Sequence, residues 1–172
     1  TNFLHGLAHW TVSIALEHKG EIVSAVVYDA AKDEMFYAEK GQGAWMNETR
    51  MRVSGRRSLS DCVFATGLPS AGRSDLPQAL TDLAQLLPVS SGVRNLGAAA
   101  LDMAYVAAGR VDGFLGRRLK LWDVAAGLMI VKEAGGFCEP IQPGGDVLQD
   151  GTVIAANDQV FAPFCKIIRK GS

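Results

Sequence analysis

Apolar positions in the first third of the chain follow a strand-like pattern. Short runs rich in β-branched and aromatic residues are separated by turn sequences at 19–20, 29–33, 41–43 and 47–48. Runs of this length, divided by Gly, Asn and Asp, are typical of strands joined by tight turns. Residues 1–55 are therefore predicted to form an antiparallel meander.

After residue 60 the strand-like runs alternate with helical spacing. Leucines recur every three or four positions over 75–87, and a small-residue segment over 98–108 stops at a glycine. Both patterns predict helices, as do 122–134, which two glycines follow, and 158–169. Strands are predicted over 62–69, 89–96, 111–115, 137–141 and 152–157, with a turn-rich loop over 142–151. This alternation indicates a layered α/β fold.

The composition is that of a globular protein. The chain has 172 residues, of which 48% are hydrophobic and 20% charged, enough for one domain with a core. The net charge is -1 and the basic residues are mostly scattered, so direct nucleic-acid binding is not expected. Without a membrane-spanning run, a signal-peptide pattern or a CxxC pair, we expect a cytoplasmic protein with reduced thiols and no membrane contact.

A carboxylate stands at the start of the predicted buried helix over 122–134. Asp123 is a good first-turn residue, because its oxygens accept backbone N–H groups and its charge complements the helix dipole. A carboxylate fixed beside apolar walls is also a good ligand for a hard cation such as Mg2+. The sequence alone leaves both roles open.

Two turns could contact an anion. Gly97, Ala98 and Ala99 link a predicted strand to a helix, so backbone N–H groups there could bind phosphate, or the small residues could serve close packing. The second turn, 66–70, ends in Ser70, and ordinary turn chemistry explains it equally well.

Other polar residues give weaker signals. The three histidines fall within the first eighteen residues, in strand-like sequence that does not favour a metal site. Lys132 and Glu133 are predicted to lie on a solvated helix face. No motif of a covalent hydrolase or a P-loop enzyme is present.

Two motifs resemble signatures of the inositol monophosphatase family. Residues 122–127, continued by 130–136, look like its second signature, and residues 1–6 look like the tail of its first signature. The segments between them, including 94–102, follow in family order, so the resemblance covers the whole chain. It implies an αβαβα sandwich, of which 1–172 would be one incomplete domain with a sheet part (1–55) and an α/β part (56–172).

The resemblance also implies a chemistry. Family members hydrolyse small phosphate monoesters with two or three Mg2+ ions, which makes inositol 1-phosphate or a related sugar phosphate the expected substrate. Asp123 matches a metal ligand that lies near the substrate hydroxyls. Gly97, Ala98 and Ala99 match a segment whose backbone lies against the substrate, and Ser70 matches a nearby loop position. A homodimer is also implied.

The first departure from the family pattern concerns the remaining catalytic groups. Two Asp and a Thr of the first signature, and an earlier Glu, would all precede Thr1. One carboxylate cannot hold a catalytic cluster, because Mg2+ needs several oxygen ligands. We therefore expect the chain to be the C-terminal two thirds of a phosphatase, to contain no further catalytic residue and to be inactive alone.

The second departure concerns selectivity. Gly116 occupies a position where inositol phosphatases commonly have a Glu that accepts hydrogen bonds from the ring hydroxyls. Selectivity for inositol should therefore be weak. Arg117 and Arg118 follow and would favour a substrate with a second anionic group, unless they are solvated loop residues. Fructose 1,6-bisphosphate, a nucleotide 3'-phosphate and histidinol phosphate are therefore alternative substrates. An alternative of another class is a phosphatase-fold protein that binds transcription machinery.

Overall fold

The first part of the chain forms an antiparallel sheet. A computed structural model describes residues 1–69 and 75–171. Each strand of this sheet pairs with the next along the chain, in the order β1 (Val12–His18), β2 (Glu21–Asp29), β3 (Glu34–Glu39), β4 (Gly43–Met46) and β5 (Thr49–Met51). The meander predicted within 1–55 is confirmed.

The second sheet is mixed. Its strands are β6 (Val63–Thr66), β7 (Gly92–Arg94), β8 (Gly113–Gly116), β9 (Phe137–Glu139) and β10 (Val153–Ala156), in the spatial order β7-β6-β8-β10-β9. β6 runs parallel to β7 and β8, whereas β10 runs antiparallel to β8 and β9. The mixed α/β half predicted from the alternating pattern is confirmed.

In the described part of the chain, five α-helices connect and cover the sheets. They are α1 (Leu76–Leu86), α2 (Ala99–Ala107), α3 (Leu121–Glu133), α4 (Val147–Asp150) and α5 (Phe161–Lys170), with short 3-10 turns at Leu59–Asp61 and Leu87–Val89. Among residues 1–69 and 75–171, none of the helices has the length and hydrophobicity that crossing a bilayer requires.

The elements stack in layers. α2 and α3 lie between the two sheets, and their side chains form one core with Val27 and Phe36 of the first sheet and Phe114 of the second. α5 packs on the other face of the second sheet through Phe164 and Ile168, and α1 contacts α5 there. The described residues thus supply four layers of the implied αβαβα sandwich, in the order sheet, helices, sheet, helices.

β7 and α5 both begin later than predicted. β7 covers only Gly92–Arg94 of the predicted 89–96, because a 3-10 turn that contains Pro88 occupies Leu87–Val89. α5 begins at Phe161 and not at Asp158. The Asn157 side chain accepts hydrogen bonds from the amides of Gln159 and Val160, which holds the chain in a turn before the helix.

The prediction of a loop over 142–151 is wrong in part. The segment contains the one-turn helix α4, and the Asp146 carboxylate accepts hydrogen bonds from the Leu148 and Gln149 amides at its start. Gly151 ends the helix with a φ of 64°. An Asp N-cap and a left-handed Gly are helix-end signals, but four residues are too few to show helical periodicity.

Candidate active site

Two cavities share a wall formed by the start of α2 and the start of α3. The larger has a volume of about 340 Å3 and the smaller about 190 Å3. Gly97, Ala98, Ala99 and Asp123 line both. The structure therefore brings together four of the predicted site residues, which come from segments more than twenty positions apart.

Asp123 is the third residue of α3 and is half-buried. Its Oδ2 accepts a hydrogen bond of 2.8 Å from the backbone N–H of Lys120, so the predicted role at the helix start is confirmed. Within the described part of the chain, Oδ1 accepts no hydrogen bond. One carboxylate oxygen is thus used by the helix, and the other can bind a ligand.

The start of α2 opens onto both cavities. Gly97 has a φ of +85°, in the left-handed region that favours glycine, and a Cβ there would lie 3.2 Å from the Asn2 side-chain nitrogen. Ala98 is the N-cap and offers no side-chain hydrogen bond to the first turn. The small residues of this turn therefore allow close packing, here against Asn2. The uncapped amides beside the cavities can also bind an anion.

Arg117 follows β8 and lines the smaller cavity. Its Nε and Nη2 donate hydrogen bonds of 2.7 and 3.0 Å to the Asp82 carboxylate, and its side chain is only 18% exposed. The alternative of a solvated loop residue therefore fails for Arg117. That alternative holds for Arg118, whose side chain is 59% exposed. Its Nε forms an ion pair of 3.8 Å with Asp75 Oδ2.

Space beside Gly116 is filled by apolar side chains. A Cβ on Gly116 would collide with the end of the Leu119 side chain and lie 2.9 Å from the Phe114 ring. A hydroxyl-accepting side chain therefore does not fit here without movement of Leu119. Ser70, the remaining predicted contact, lies outside the described residues.

The acidic groups of the described residues do not form a complete metal site. Within 1–69 and 75–171, no three His, Cys, Asp or Glu side chains are grouped closely enough to hold a metal ion. Asp123 can supply one oxygen ligand to a hard cation, because its carboxylate lines the cavities and has an unused oxygen. Mg2+ would need further ligands.

A buried pair beside the larger cavity was not predicted. His9 Nε2 lies 2.9 Å from Asp102 Oδ1, and Asp102 is 1% exposed. Burial raises the pKa of the Asp102 carboxyl, and the hydrogen bond with His9 opposes that shift. An aspartate between Leu101 and Met103 in an apolar helix was a visible signal, but its partner 93 positions away was not.

The prediction for Lys132 and Glu133 is half right. Lys132 is exposed. Glu133, by contrast, accepts hydrogen bonds of 2.8 Å from the backbone amides of both Gly41 and Gly43. It therefore ties the end of α3 to the turn between β3 and β4, a contact that helical periodicity cannot reveal.

Known proteins share both the sequence and the fold. The chain is 45% identical over 170 residues to an inositol-1-monophosphatase from Rhizobium meliloti, a match that covers 99% of this chain and 64% of the relative. It is 42% identical over 163 residues to the Nus factor SuhB from Pseudomonas aeruginosa, covering 94% of this chain and 60% of that protein. The chain thus spans less than two thirds of these relatives.

A solved structure gives the same result. The extragenic suppressor protein suhB from Bartonella henselae superposes with a TM-score of 0.95 at 46% identity, over 99% of this chain and 66% of that one. The model of the inositol monophosphatase family matches residues 1–170. With nearly every residue matched in sequence and fold, this chain belongs to the inositol monophosphatase family.

Proposed function

We propose that the protein carrying this chain is a Mg2+-dependent phosphatase of small phosphate monoesters, most closely inositol 1-phosphate or a related sugar phosphate. One observation carries the proposal. The unused oxygen of Asp123 and the uncapped amides at the start of α2 border the same two cavities. A cation ligand and an anion-binding helix start side by side suit a metal-bound phosphate.

The substrate phosphate is bound in this proposal by the backbone of Gly97, Ala98 and Ala99. The N–H groups of the first helical turn lack partners within the helix, and the helix dipole favours a negative charge there. Because Gly97 and Ala98 have little or no side chain, a phosphate oxygen can approach the backbone closely. These residues bind and orient the ester.

Asp123 supplies one ligand to the metal. When bound, Mg2+ would neutralise charge on the phosphate and activate a water molecule for attack. The other ligands would come from outside these residues, since about a third of the length of the relatives lies outside the match. Residues 1–172 are then one incomplete domain, inactive by itself, of a protein that we also propose to be a cytoplasmic homodimer.

The surroundings of Gly116 decide the proposed selectivity. Leu119 occupies space that an acidic acceptor for ring hydroxyls would need, so discrimination in favour of inositol is weak. Arg117 lines the smaller cavity while its Nε and Nη2 bind Asp82, and in this proposal its guanidinium also contributes to binding a second anionic group there. Fructose 1,6-bisphosphate, a nucleotide 3'-phosphate and histidinol phosphate are the alternatives, and Ser70 remains a proposed contact.

The test is phosphate release by the full gene product, with and without Mg2+, on inositol 1-phosphate and the alternative esters. We expect turnover only with Mg2+, and a loss of about a hundredfold or more for Asp123→Asn, since a metal ligand loses its charge. The matched control is Asp146→Asn, another helix-start aspartate, which caps α4 and lies outside both cavities.

The Asp146→Asn variant should keep full activity, because asparagine is an equally good N-cap. Equal losses in the two variants would show that Asp123 acts only through its helix. A folded wild-type protein without turnover on any ester would overturn the phosphatase proposal.

A second candidate function is supported by the name of a relative. The protein from Pseudomonas aeruginosa, 42% identical to this chain, is a Nus factor. A phosphatase-fold protein that binds transcription machinery would need neither metal nor phosphate. In that case the wild-type protein and Asp123→Asn would bind the partner equally well, which separates this function from the first.

A further inference from the structure

Hydrogen bonds join the first nine residues to the segment that leads into α2. The Asn2 amide donates to the backbone carbonyl of Leu96 at 2.8 Å and to that of His9 at 2.7 Å. His9 Nε2 in turn lies 2.9 Å from Asp102 Oδ1. Asn2 and His9 thus link two regions of the chain through side-chain contacts.

These contacts bracket the proposed phosphate-binding backbone. Leu96 immediately precedes Gly97, and Asp102 lies in the first turn of α2, where its amide donates to the carbonyl of Ala98 at 2.9 Å. Asn2 also lies within 3.2 Å of the position that a Cβ on Gly97 would take. The Gly97–Ala99 backbone is therefore held on both sides by the same network.

The pair between His9 and Asp102 is shielded from solvent and packed against neighbouring side chains. The side chain of His9 is 13% exposed and that of Asp102 1%. The His9 ring packs edge-on against Tyr105, with ring centroids 5.5 Å apart. Lys32 holds the backbone ahead of His9 by donating to the Ala8 carbonyl at 2.5 Å. Substitution of either His9 or Asp102 should therefore displace the Gly97–Ala99 backbone.

Only one of the two carboxylate oxygens of Asp102 is hydrogen-bonded within the described residues. Its Oδ2 is buried and has no hydrogen-bond partner among residues 1–69 and 75–171. Burying a carboxylate that is only half satisfied costs stability. A core position that carries such a cost and sits beside a functional loop is more readily explained by placement of that loop than by stability of the fold.

We propose that His9 and Asp102 are positioning residues that, with Asn2, hold the Gly97–Ala99 backbone in the geometry that binds the substrate. The inference rests on the proposed function for its purpose, but its structural content can be tested without substrate. Neither residue touches the reacting atoms in this proposal.

The first experiment is hydrogen exchange on the full gene product without substrate. His9→Ala and Asp102→Ala should speed exchange of the amides at 97–102 by about tenfold or more, since their opening is no longer opposed by the pair. His9→Gln should restore slow exchange, because its amide can donate to Asp102. Unchanged exchange at 97–102 in both alanine variants would overturn the proposal.

Asp112→Asn is the matched control. Asp112 is also 1% exposed, but it accepts hydrogen bonds from Ser54, Arg56 and the amide of Val63, none of which belongs to α2. The variant should speed exchange near those residues and leave 97–102 unchanged. Faster exchange at 97–102 in this control as well would mean general loosening of the core and would also overturn the proposal.

The second experiment measures kinetics in the full gene product. Displacement of the substrate-binding backbone weakens binding of the ground state and of the transition state alike. His9→Ala should therefore raise KM about tenfold with kcat within about twofold of wild type. A folding defect would instead lower kcat through less active protein, with KM unchanged, and would contradict the proposal. A wild-type protein without turnover refutes the proposed function, and the exchange result then decides the inference alone.

Discussion

At the scale of single residues, Asp123 shows how one side chain can serve the fold and the site together. Oδ2 accepts the Lys120 amide at the start of α3. An asparagine oxygen can accept the same bond, so Asp123→Asn should change the free energy of unfolding by less than about 1 kcal/mol. The large loss expected in turnover would then be chemical, because the helix keeps its first turn.

Asp102→Asn gives a residue-scale prediction about pH. Burial raises the pKa of Asp102 above its ordinary value of 3.8, so the unfolded chain releases this proton at a lower pH than the folded chain. In the wild-type protein, Asp102 makes its full contribution to the free energy of unfolding below about pH 3.8. This contribution is lost as the pH rises through the folded-state pKa of Asp102. The asparagine variant has no such loss.

The stability of Asp102→Asn relative to wild type should therefore improve as the pH rises from about 3.5 towards neutrality. Urea unfolding of both proteins at several pH values measures the difference in the free energy of unfolding, in which titrating groups that do not contact Asp102 cancel. A stability difference that stays constant with pH would contradict the raised pKa of Asp102. So would a difference in which the variant becomes less stable relative to wild type as the pH rises.

At the scale of elements, the contact between α2 and α3 fixes the two helix starts relative to each other. Gly127 is buried in α3, and a Cβ there would lie 2.7 Å from Met103 Cβ and 2.8 Å from its sulfur. Gly127→Ala should therefore cost about 1–3 kcal/mol through overpacking, despite the better helix propensity of alanine. Chemical denaturation measures this cost.

Gly55→Ala is the control for that prediction. Nothing lies within 4 Å of a Cβ added at Gly55, and its φ is not positive. Its stability should change by less than about 0.5 kcal/mol. Equal effects of the two substitutions would show that α2 and α3 are not packed as closely as the structure has them.

Prediction from the sequence succeeds for elements whose pattern is long enough to be read. The meander, α1, α2 and α3 all follow from periodicity and glycine stops. The short helix α4 has too few residues for a period, and the late start of α5 depends on the side chain of Asn157. Local hydrogen bonds of this kind determine element ends, and apolar patterns do not report them.

At the scale of the whole molecule, the site exists only because three distant segments meet. The larger cavity is lined by residues from the first thirteen positions, from the start of α2 and from the start of α3. Each segment showed its own signal in the sequence, such as Gly97 before a helix or Asp123 at a helix start. Their proximity depends on the stacking of the layers, which no local pattern contains, and only the family resemblance linked them in advance.

The most direct test of this account is a crystal structure of the full gene product grown with inorganic phosphate and Mn2+, whose anomalous scattering locates the ion. We expect an anomalous peak within bonding distance of the Asp123 carboxylate and a phosphate against the backbone amides of 97–99. Ions bound elsewhere, with Asp123 bonded only to the Lys120 amide, would contradict the proposed metal site.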